Sequence, residues 1–188
     1  MKVYRVISDV NNYQWLMPDV PEKDILDYTT FDCTSQRRSW QSPIIYLADP
    51  SVLTGDFLYY DPGCLVVSPS AVERVRPFFK RAGELLPLWF DGEEYTLLNV
   101  TECVDALDDS KTEWLRAGDN NHKVEICRYA FNPNKFTDSS IFKIPETCSG
   151  SALTWEKDGD PKTEFKAFVE ENGLTGLLFR ELWNSEQG

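Results

Sequence analysis

The strongest constraint on the fold is a pair of apolar runs separated by a short turn sequence. LLPLWF at 85–90 and YTLLNV at 95–100 flank the tetrapeptide DGEE. An Asp-Gly pair between two such runs is a strong signal for a tight hairpin, because glycine supplies the positive φ that the turn needs. The sequence therefore predicts two antiparallel strands with Gly92 at the tip between them.

Short apolar and aromatic runs predict further strands. Runs that alternate, or that are bounded by Pro, Asp and Gly, are typical of strands, and they lie at 3–7, 44–47, 57–60, 65–67 and in the final segment GLLFRELW. A turn initiator, Asn132-Pro133, lies between residues 124–131 and 140–144. We expect these two segments to pair as a second hairpin.

A first helix is predicted after the strand at 65–67. Apolar residues recur at three- and four-residue steps over 72–82, and Gly83 follows as a stop signal. The helix would begin either at Ser68, which a proline follows, or with a capping box that starts at Ser70. Pro77 lies within the pattern and is expected to kink or break the helix.

A second helix and a last strand complete the predicted fold. Asp160 is a candidate cap with Pro161 at the first helical position, and Gly173 is the stop signal. Strands outnumber helices in this pattern. The sequence therefore predicts an α+β fold, in which a twisted, mainly antiparallel sheet packs against a central helix and a C-terminal helix that a last strand follows. The length favours one globular domain, 1–188.

The composition excludes several classes of protein. The chain has 31 Asp and Glu against 19 Lys and Arg, a formal net charge of −12, yet 41% of its residues are hydrophobic and 13% are aromatic. Intrinsic disorder requires few aromatics and low hydrophobicity, so a disordered acidic chain is excluded. A surface this negative repels nucleic-acid phosphates and anionic lipid, and it attracts basic partners.

The N-terminus and the cysteines favour a cytoplasmic protein. The opening sequence MKVYRVISDVNNYQWL lacks the apolar segment of a secretory signal, and no run approaches the roughly 20 apolar residues of a membrane span. The five cysteines are isolated and form no CxxC pair. Isolated cysteines of this kind are typical of reduced core thiols rather than of disulfides or metal ligands.

The sequence lacks the common catalytic and cofactor motifs. It contains no GxSxG, GxGxxG, P-loop or HExxH pattern, and its one histidine, His122, lies in the polar segment GDNNHK. An EF-hand loop that starts at Asp105 or Asp158 would need Glu at its twelfth position, where the chain has Arg116 and Val169. We therefore predict a protein without enzymatic activity, metal or cofactor.

Two alternatives stay open from the residues alone. Asp105, Asp108 and Asp109 would serve a hydrolase that uses paired carboxylates, or a metal assembled from distant loops, provided that burial separates the carboxyl pKa values. The basic side chains of the first helix, at 74–81, would pair with the acidic loops of a second copy in a homo-oligomeric scaffold. They would equally form an ordinary solvated helix face.

The negative charge is concentrated in one part of the chain. Residues 84–113 hold nine acidic side chains and one basic side chain. They cover the predicted hairpin and the segment VDALDDSKTEW that follows its second strand. Trp114 comes directly after this acidic run, and tryptophan often anchors protein interfaces.

A series of short motifs resembles a known family. In chain order they are DFLYY, LVVSPSAVERV, LLPLWF, YTLLNV, VDALD, SIFKI and FKAFVEENGLTGLLFRELW. Their order and the ending, a helix followed by GLLFRELW, resemble the eleventh immunity family of bacterial polymorphic toxin systems, formerly catalogued as a domain of unknown function. The similarity covers residues 44–183, with a looser match in the N-terminal YRVISD and YQWL.

The resemblance implies a small protein encoded beside a secreted or contact-delivered toxin. Such a protein binds its cognate toxin directly and protects the producing cell. The family supplies no catalytic residues. Among its recurring positions, Asp105 and Asp108 are the two with a candidate functional role, although a turn-capping role explains them equally well.

Charge and resemblance lead to the same functional prediction. An acidic surface speeds the capture of a basic partner, because complementary charge raises association rates. We therefore expect an immunity protein that neutralises a cognate toxin with a basic surface, by direct binding and without turnover. The candidate partner-binding residues are Glu93, Glu94, Asp105, Asp108, Asp109 and Trp114.

Overall fold

A computed structural model of the chain describes residues 1–19 and 31–187. Its α+β architecture with mainly antiparallel pairing confirms the predicted fold class, including a C-terminal helix that a last strand follows. The helices are α1 Val72–Ala82 and α2 Phe165–Glu171. The strands are β1 Lys2–Ser8, β2 Leu16–Pro18, β3 Ile45–Leu47, β4 Phe57–Leu58, β5 Cys64–Val67, β6 Gly83–Phe90, β7 Glu93–Val100, β8 Glu113–Ala117, β9 His122–Arg128, β10 Ile141–Phe142, β11 Leu153–Glu156 and β12 Leu177–Asn184.

The described strands form two larger sheets and two ribbons. The first sheet has the order β10-β11-β1-β12, so the N-terminal and C-terminal strands are neighbours, and the second has the order β4-β5-β7-β6. β2 pairs with β3, and β8 pairs with β9. All of these pairs are antiparallel. The local hairpins β6–β7 and β8–β9 need only short loops to close.

An aromatic cluster joins the two sheets and both helices. The ring centroid of Phe165 in α2 lies 6.0 Å from that of Phe57 in β4 and 5.8 Å from that of Phe78 in α1. Phe179 of β12 lies 6.3 Å away on another side. Burying one such ring stabilises the fold by roughly 1.5–3 kcal/mol, and edge-to-face contacts add to that. Phe165 therefore ties β4, α1 and β12 to one core.

A second apolar cluster lies under the loop that follows β7. Val104 and Leu107 of this loop are buried, and they belong to the same cluster as Phe131, Phe142 and Trp183. The ring centroids of Phe131 and Trp183 are 5.8 Å apart. The loop is therefore packed onto the first sheet through its apolar residues, which leaves its acidic residues on the outer side.

The predicted hairpin at 85–100 is confirmed. β6 and β7 pair from Gly83 opposite Val100 to Phe90 opposite Glu93. Asp91 and Gly92 alone form the turn, with φ of 49° and 78°, as a two-residue hairpin turn requires. Glu93 therefore belongs to β7 and not to the tip.

The predicted second hairpin is wrong. Residues 124–131 do not pair with residues 140–144. β9 instead pairs with β8, and β10 pairs with β11. The short loop between β8 and β9 closes at lower entropic cost than the predicted connection, and β10 is buried along its length in the first sheet. The Asn132 side chain still forms the predicted turn, because it accepts a hydrogen bond from the Asn134 N–H at 3.1 Å.

Both helices begin later than predicted. Neither Ser68 nor Ser70 caps α1, since their hydroxyls lie 3.0 Å from each other and Ala71 precedes the helix without a side-chain cap. Pro77 does not break α1, which continues to Ala82.

In the described residues, no helix is both long and apolar enough to cross a bilayer.

α2 begins four residues after the expected first position, Pro161, and the Phe165 N–H donates to the Ser140 hydroxyl at 3.1 Å. Asp160 caps only a turn, in which its Oδ1 accepts a hydrogen bond from the Lys162 N–H at 3.0 Å. The helix starts at Phe165, after Glu164. Glu164 is buried, and its carboxylate accepts hydrogen bonds from the N–H groups of Asp158 and Gly159 at 2.9 and 2.8 Å. These bonds give a buried carboxylate the partners that it needs.

Candidate partner-binding site

The loop 101–112 connects β7 to β8 and carries three of the candidate acids. Its backbone is fixed at two points: the Val104 N–H donates to the Lys143 carbonyl at 2.7 Å, and the Asp108 N–H donates to the Ala130 carbonyl at 2.9 Å. Packing of its apolar side chains adds to this anchoring. The loop is therefore a held surface feature whose acidic side chains have defined positions.

Two of the acids are strongly exposed and bound to lysines from later in the chain. The side chains of Asp105 and Asp109 are 75% and 70% exposed. Lys135 Nζ lies 3.0 Å from Asp105 Oδ2, and Lys123 Nζ lies 2.9 Å from Asp109 Oδ1. The fold therefore compensates part of the negative charge that the sequence concentrates in residues 84–113. Exposed pairs of this kind contribute little to stability.

Asp108 has a structural role in the loop. Its Oδ1 accepts hydrogen bonds from the Ser110 hydroxyl at 2.5 Å and from the Ser110 N–H at 3.1 Å. These bonds lower the pKa of the Asp108 carboxyl. Asp108 therefore caps a turn, which is one of the two roles that the sequence allowed for this residue. A lowered pKa is the opposite of what a general acid needs at neutral pH.

Trp114 lies in β8, next to this loop, and is half-buried. Its ring packs against the apolar cluster under the loop, while Lys123 Nζ lies 4.6 Å from the ring centroid on its other side. The indole Nε1 is buried, and it has no hydrogen-bond acceptor among the described residues. Lys123 thus contacts both Trp114 and Asp109, which links the ribbon β8–β9 to the acidic loop.

Glu93 and Glu94 lie elsewhere. They begin β7, whereas the loop follows the last residue of that strand, so about 25 Å of extended chain separates them from Thr101. Glu93 lines a different surface cleft, whose other walls include Asp56 and Thr175. The structure therefore brings Asp105, Asp108, Asp109 and Trp114 together and leaves Glu93 and Glu94 apart from them.

A surface cleft of about 520 Å³ borders the loop. Residues 110–113 line one side, and residues 182–184 of β12 line another. Arg128 and Glu113 also line it, and the Arg128 Nη2 lies 2.7 Å from the Glu113 Oε1. The acidic loop, the ribbon β8–β9 and β12 thus meet at one open depression.

The structure places the histidine and the acidic groups that the sequence offered for catalysis or metal binding. His122 is exposed at the start of β9. In residues 1–19 and 31–187, no group of three or more His, Cys, Asp or Glu side chains is placed to hold a metal ion. Burial raises the pKa of the Asp61 carboxyl, although the Gly63 N–H donates to its Oδ1 at 2.7 Å.

The basic residues of α1 make contacts within the chain. The Arg76 guanidinium binds the Glu73 carboxylate, and Arg74 Nη2 donates to the carbonyl and the side-chain Oδ1 of Asn172, each at 3.1 Å. Arg81 lies over the ring of Phe78, 5.4 Å from its centroid. Arg74, Arg76 and Arg81 thus serve the packing and capping of their own fold.

Sequence reasoning missed Lys143, which is fully buried. Its Nζ donates to the Phe31 carbonyl and, at 2.9 Å, to the Cys148 carbonyl, and burial lowers its pKa. Its backbone also anchors the acidic loop through Val104. The signal in the sequence was a lysine inside the short apolar run SIFKI, but a lone lysine in such a run more often points to solvent.

Comparison with known proteins gave no match, either to a protein-family model or to a curated protein.

Proposed function

We propose that this protein is an immunity protein, which binds a cognate bacterial toxin in the cytoplasm and neutralises it by direct contact, without turnover. The order of motifs that resembles the immunity family supports this proposal. So does the absence of the common catalytic motifs from the sequence. The proposed contact surface consists of the loop 101–112 and the ribbon β8–β9.

The observation that carries the proposal is the arrangement at this loop. Asp105 and Asp109 present exposed carboxylates from a backbone that is fixed at both of its anchor points. A fixed backbone lowers the entropic cost of binding, because few groups remain to be ordered in the complex. Exposed carboxylates attract a basic partner over several ångströms and speed its association.

Trp114 gives the proposed surface an apolar component. Interfaces take most of their binding energy from a few aromatic or arginine side chains, and charge at the rim mainly sets the association rate. Displacing Lys123 from Asp109 and from the Trp114 ring would expose both groups to a partner at once. A basic toxin side chain in the place of Lys123 would keep the same contacts.

Co-expression tests the proposal. The product of the adjacent reading frame is produced in a sensitive host, with and without this protein, and growth and co-purification are measured. We expect restored growth and a stable complex. If the neighbouring product is toxic, and this protein neither restores growth nor co-purifies with it, the proposal is wrong. Restored growth without a complex would instead favour an enzymatic activity.

A further inference from the structure

β12 is an edge strand of the first sheet, with β1 as its neighbour on one side. It is eight residues long and contains no proline and no lysine. Natural proteins usually protect such an edge with short strands, proline, lysine or a covering segment, because an open edge is a template for another strand. β12 carries one irregularity in its pairing with β1, near its C-terminal end.

The hydrogen bonds of β1 show which backbone groups of β12 point away from the sheet. The Asp9 N–H donates to the Gly176 carbonyl at 3.0 Å, so the backbone of Gly176 faces β1. In an antiparallel pair the direction alternates from one residue to the next. The backbones of Leu178 and Arg180 therefore also face β1, and those of Leu177, Phe179 and Glu181 face outward.

The outward groups have no partner in the part of the chain that the structure describes. The N–H and C=O groups of Leu177, Phe179 and Glu181 make no hydrogen bond to any residue of 1–19 or 31–187. These three residues span about 13 Å of extended chain. That length suits about five residues of an added strand.

β6, one of the two edge strands of the second sheet, differs from β12 because its outward backbone groups are occupied. β6 contains Pro87, which has no N–H to offer, and the Pro87 carbonyl accepts a hydrogen bond from Trp40 Nε1 at 2.8 Å. The Trp89 N–H donates to the Ser42 hydroxyl at 2.9 Å. Side chains of one segment therefore occupy backbone groups of the β6 edge, whereas the β12 edge has no such partner in residues 1–19 and 31–187.

The open edge adjoins the proposed contact surface. Residues 182–184 of β12 line the same cleft as residues 110–112 of the acidic loop and Glu113 of β8. A second cleft, of about 360 Å³, is lined by residues 180–182 and by residues 125–129. The two clefts share Arg128, Tyr129 and Leu182, so they continue into each other along β12.

We propose that β12 binds an extended segment of the partner, which adds to the first sheet as a fifth strand. Its backbone pairs with Leu177, Phe179 and Glu181, and its flank lies against the cleft next to the acidic loop. A second copy of this chain is a poor occupant, because two molecules that each carry a net charge of −12 repel each other. This inference rests on the proposed function, since the partner strand is taken to come from the toxin.

Amide hydrogen exchange on the native protein tests the strand addition. Exchange is measured for the free protein and for the protein saturated with the product of the adjacent reading frame. We expect the amides of Leu177, Phe179 and Glu181 to exchange at least tenfold more slowly in the complex. The amide of Trp89, which already has a partner in the free protein, is expected to change little.

A variant pair gives an independent readout. Glu181→Pro removes one outward N–H, and it removes no bond to β1 because that N–H does not face β1. Glu181→Gln is the matched control, which also loses the exposed ion pair with Lys2 but keeps the N–H. We expect Glu181→Pro to weaken binding up to about tenfold relative to Glu181→Gln, as the loss of one interface hydrogen bond predicts. Equal unfolding midpoints for the two variants show that the fold is retained.

The outcomes separate this inference from the proposed function. A complex that forms without slower exchange at these three amides contradicts the strand addition and leaves the proposed function standing. The absence of any complex contradicts both. Slower exchange that appears in the free protein as its concentration rises shows that a second copy occupies the edge, which also contradicts the proposal.

Discussion

Asp56 and Thr175 exchange three hydrogen bonds although 119 residues separate them in sequence. The Asp56 carboxylate accepts from the Thr175 N–H at 2.8 Å and from the Thr175 hydroxyl at 3.0 Å, and the same hydroxyl accepts from the Asp56 N–H at 3.0 Å. Asp56 directly precedes β4, and Thr175 lies two residues before β12. This pair therefore connects the second sheet to the first and fixes the start of the edge strand.

We expect Asp56→Ala to lower the free energy of unfolding by about 2–4 kcal/mol, because it removes two hydrogen bonds to a carboxylate and leaves a partly buried donor unpaired. Urea unfolding followed by tryptophan fluorescence measures the change. Asp49→Ala is the control, since the Asp49 carboxylate accepts its hydrogen bonds in the described residues from nearby Ser51 in an exposed turn. Equal losses in the two variants would show that the Asp56–Thr175 link is not important for stability.

Gly176, the residue before β12, tolerates no larger side chain. Its φ is +95°, and a Cβ atom would lie 2.1 Å from the Phe57 carbonyl oxygen. We expect Gly176→Ala to prevent folding or to cost more than about 4 kcal/mol, because both backbone strain and a backbone clash oppose it. Gly92→Ala is the matched control, since Gly92 also has a positive φ but nothing lies within 4 Å of its Cβ position. Its cost should be about 1 kcal/mol. Similar midpoints of thermal unfolding would contradict the close approach at Gly176.

Glu84 gives the fold a pH dependence with a defined sign. Burial raises the pKa of its carboxyl, but hydrogen bonds from the Ser35 hydroxyl, the Gln36 N–H and the Asn99 side chain outweigh this and lower the pKa. A carboxyl whose pKa is lowered by folding stabilises the folded state above its ordinary pKa of about 4.3. That stabilisation is lost as the pH falls through the lowered value.

We therefore expect Glu84→Gln to cost about 1–2 kcal/mol at pH 7 and distinctly less near pH 3. Urea unfolding of the wild type and of the variant at both pH values measures the difference. Glu186→Gln, near the C-terminus, serves as a control for the loss of one negative charge. A cost that is constant between pH 7 and pH 3 would contradict this role of the Glu84 carboxylate.

The sequence predicted the local elements well and the long-range pairing poorly. The hairpin at 85–100 was predictable because its turn and its two apolar runs are adjacent in the chain. The pairing of β10 with β11 was not, because it depends on which strand completes the first sheet and not on a local turn. The start of α2 was misplaced for a similar reason, since the Phe165 N–H bonds to Ser140, which is distant in sequence, while Asp160 caps only a turn.

The candidate site shows the same limit. A charge count along the chain identified the acidic segment that contains Asp105 and Asp109. It did not identify Lys123 and Lys135, which come from later elements and fold back onto these acids. The charge count also did not show that Glu93 lies away from the loop. An extended strand carries residues that are close in sequence far apart in space.

Charge reversal tests the location of the contact surface. The double variant Asp105→Lys with Asp109→Lys should slow association with the toxin at least tenfold at low salt, because it replaces attraction of a basic partner by repulsion. The control, Glu93→Lys with Glu94→Lys, makes the same change in net charge at the other end of β7 and should slow association less. Stopped-flow or surface-binding kinetics at about 20 and 300 mM salt measure both effects, and the difference should shrink at high salt. Equal slowing by the two pairs would show that only total charge matters.

Stoichiometry distinguishes direct binding from turnover most directly. The purified toxin is titrated with this protein, the complex is measured by light scattering after gel filtration, and the mass of the toxin is measured by mass spectrometry. We expect a complex that saturates at a fixed molar ratio and a toxin whose mass does not change. Failure to form a complex at micromolar concentrations, or chemical change of the toxin by substoichiometric amounts of this protein, would contradict neutralisation by binding.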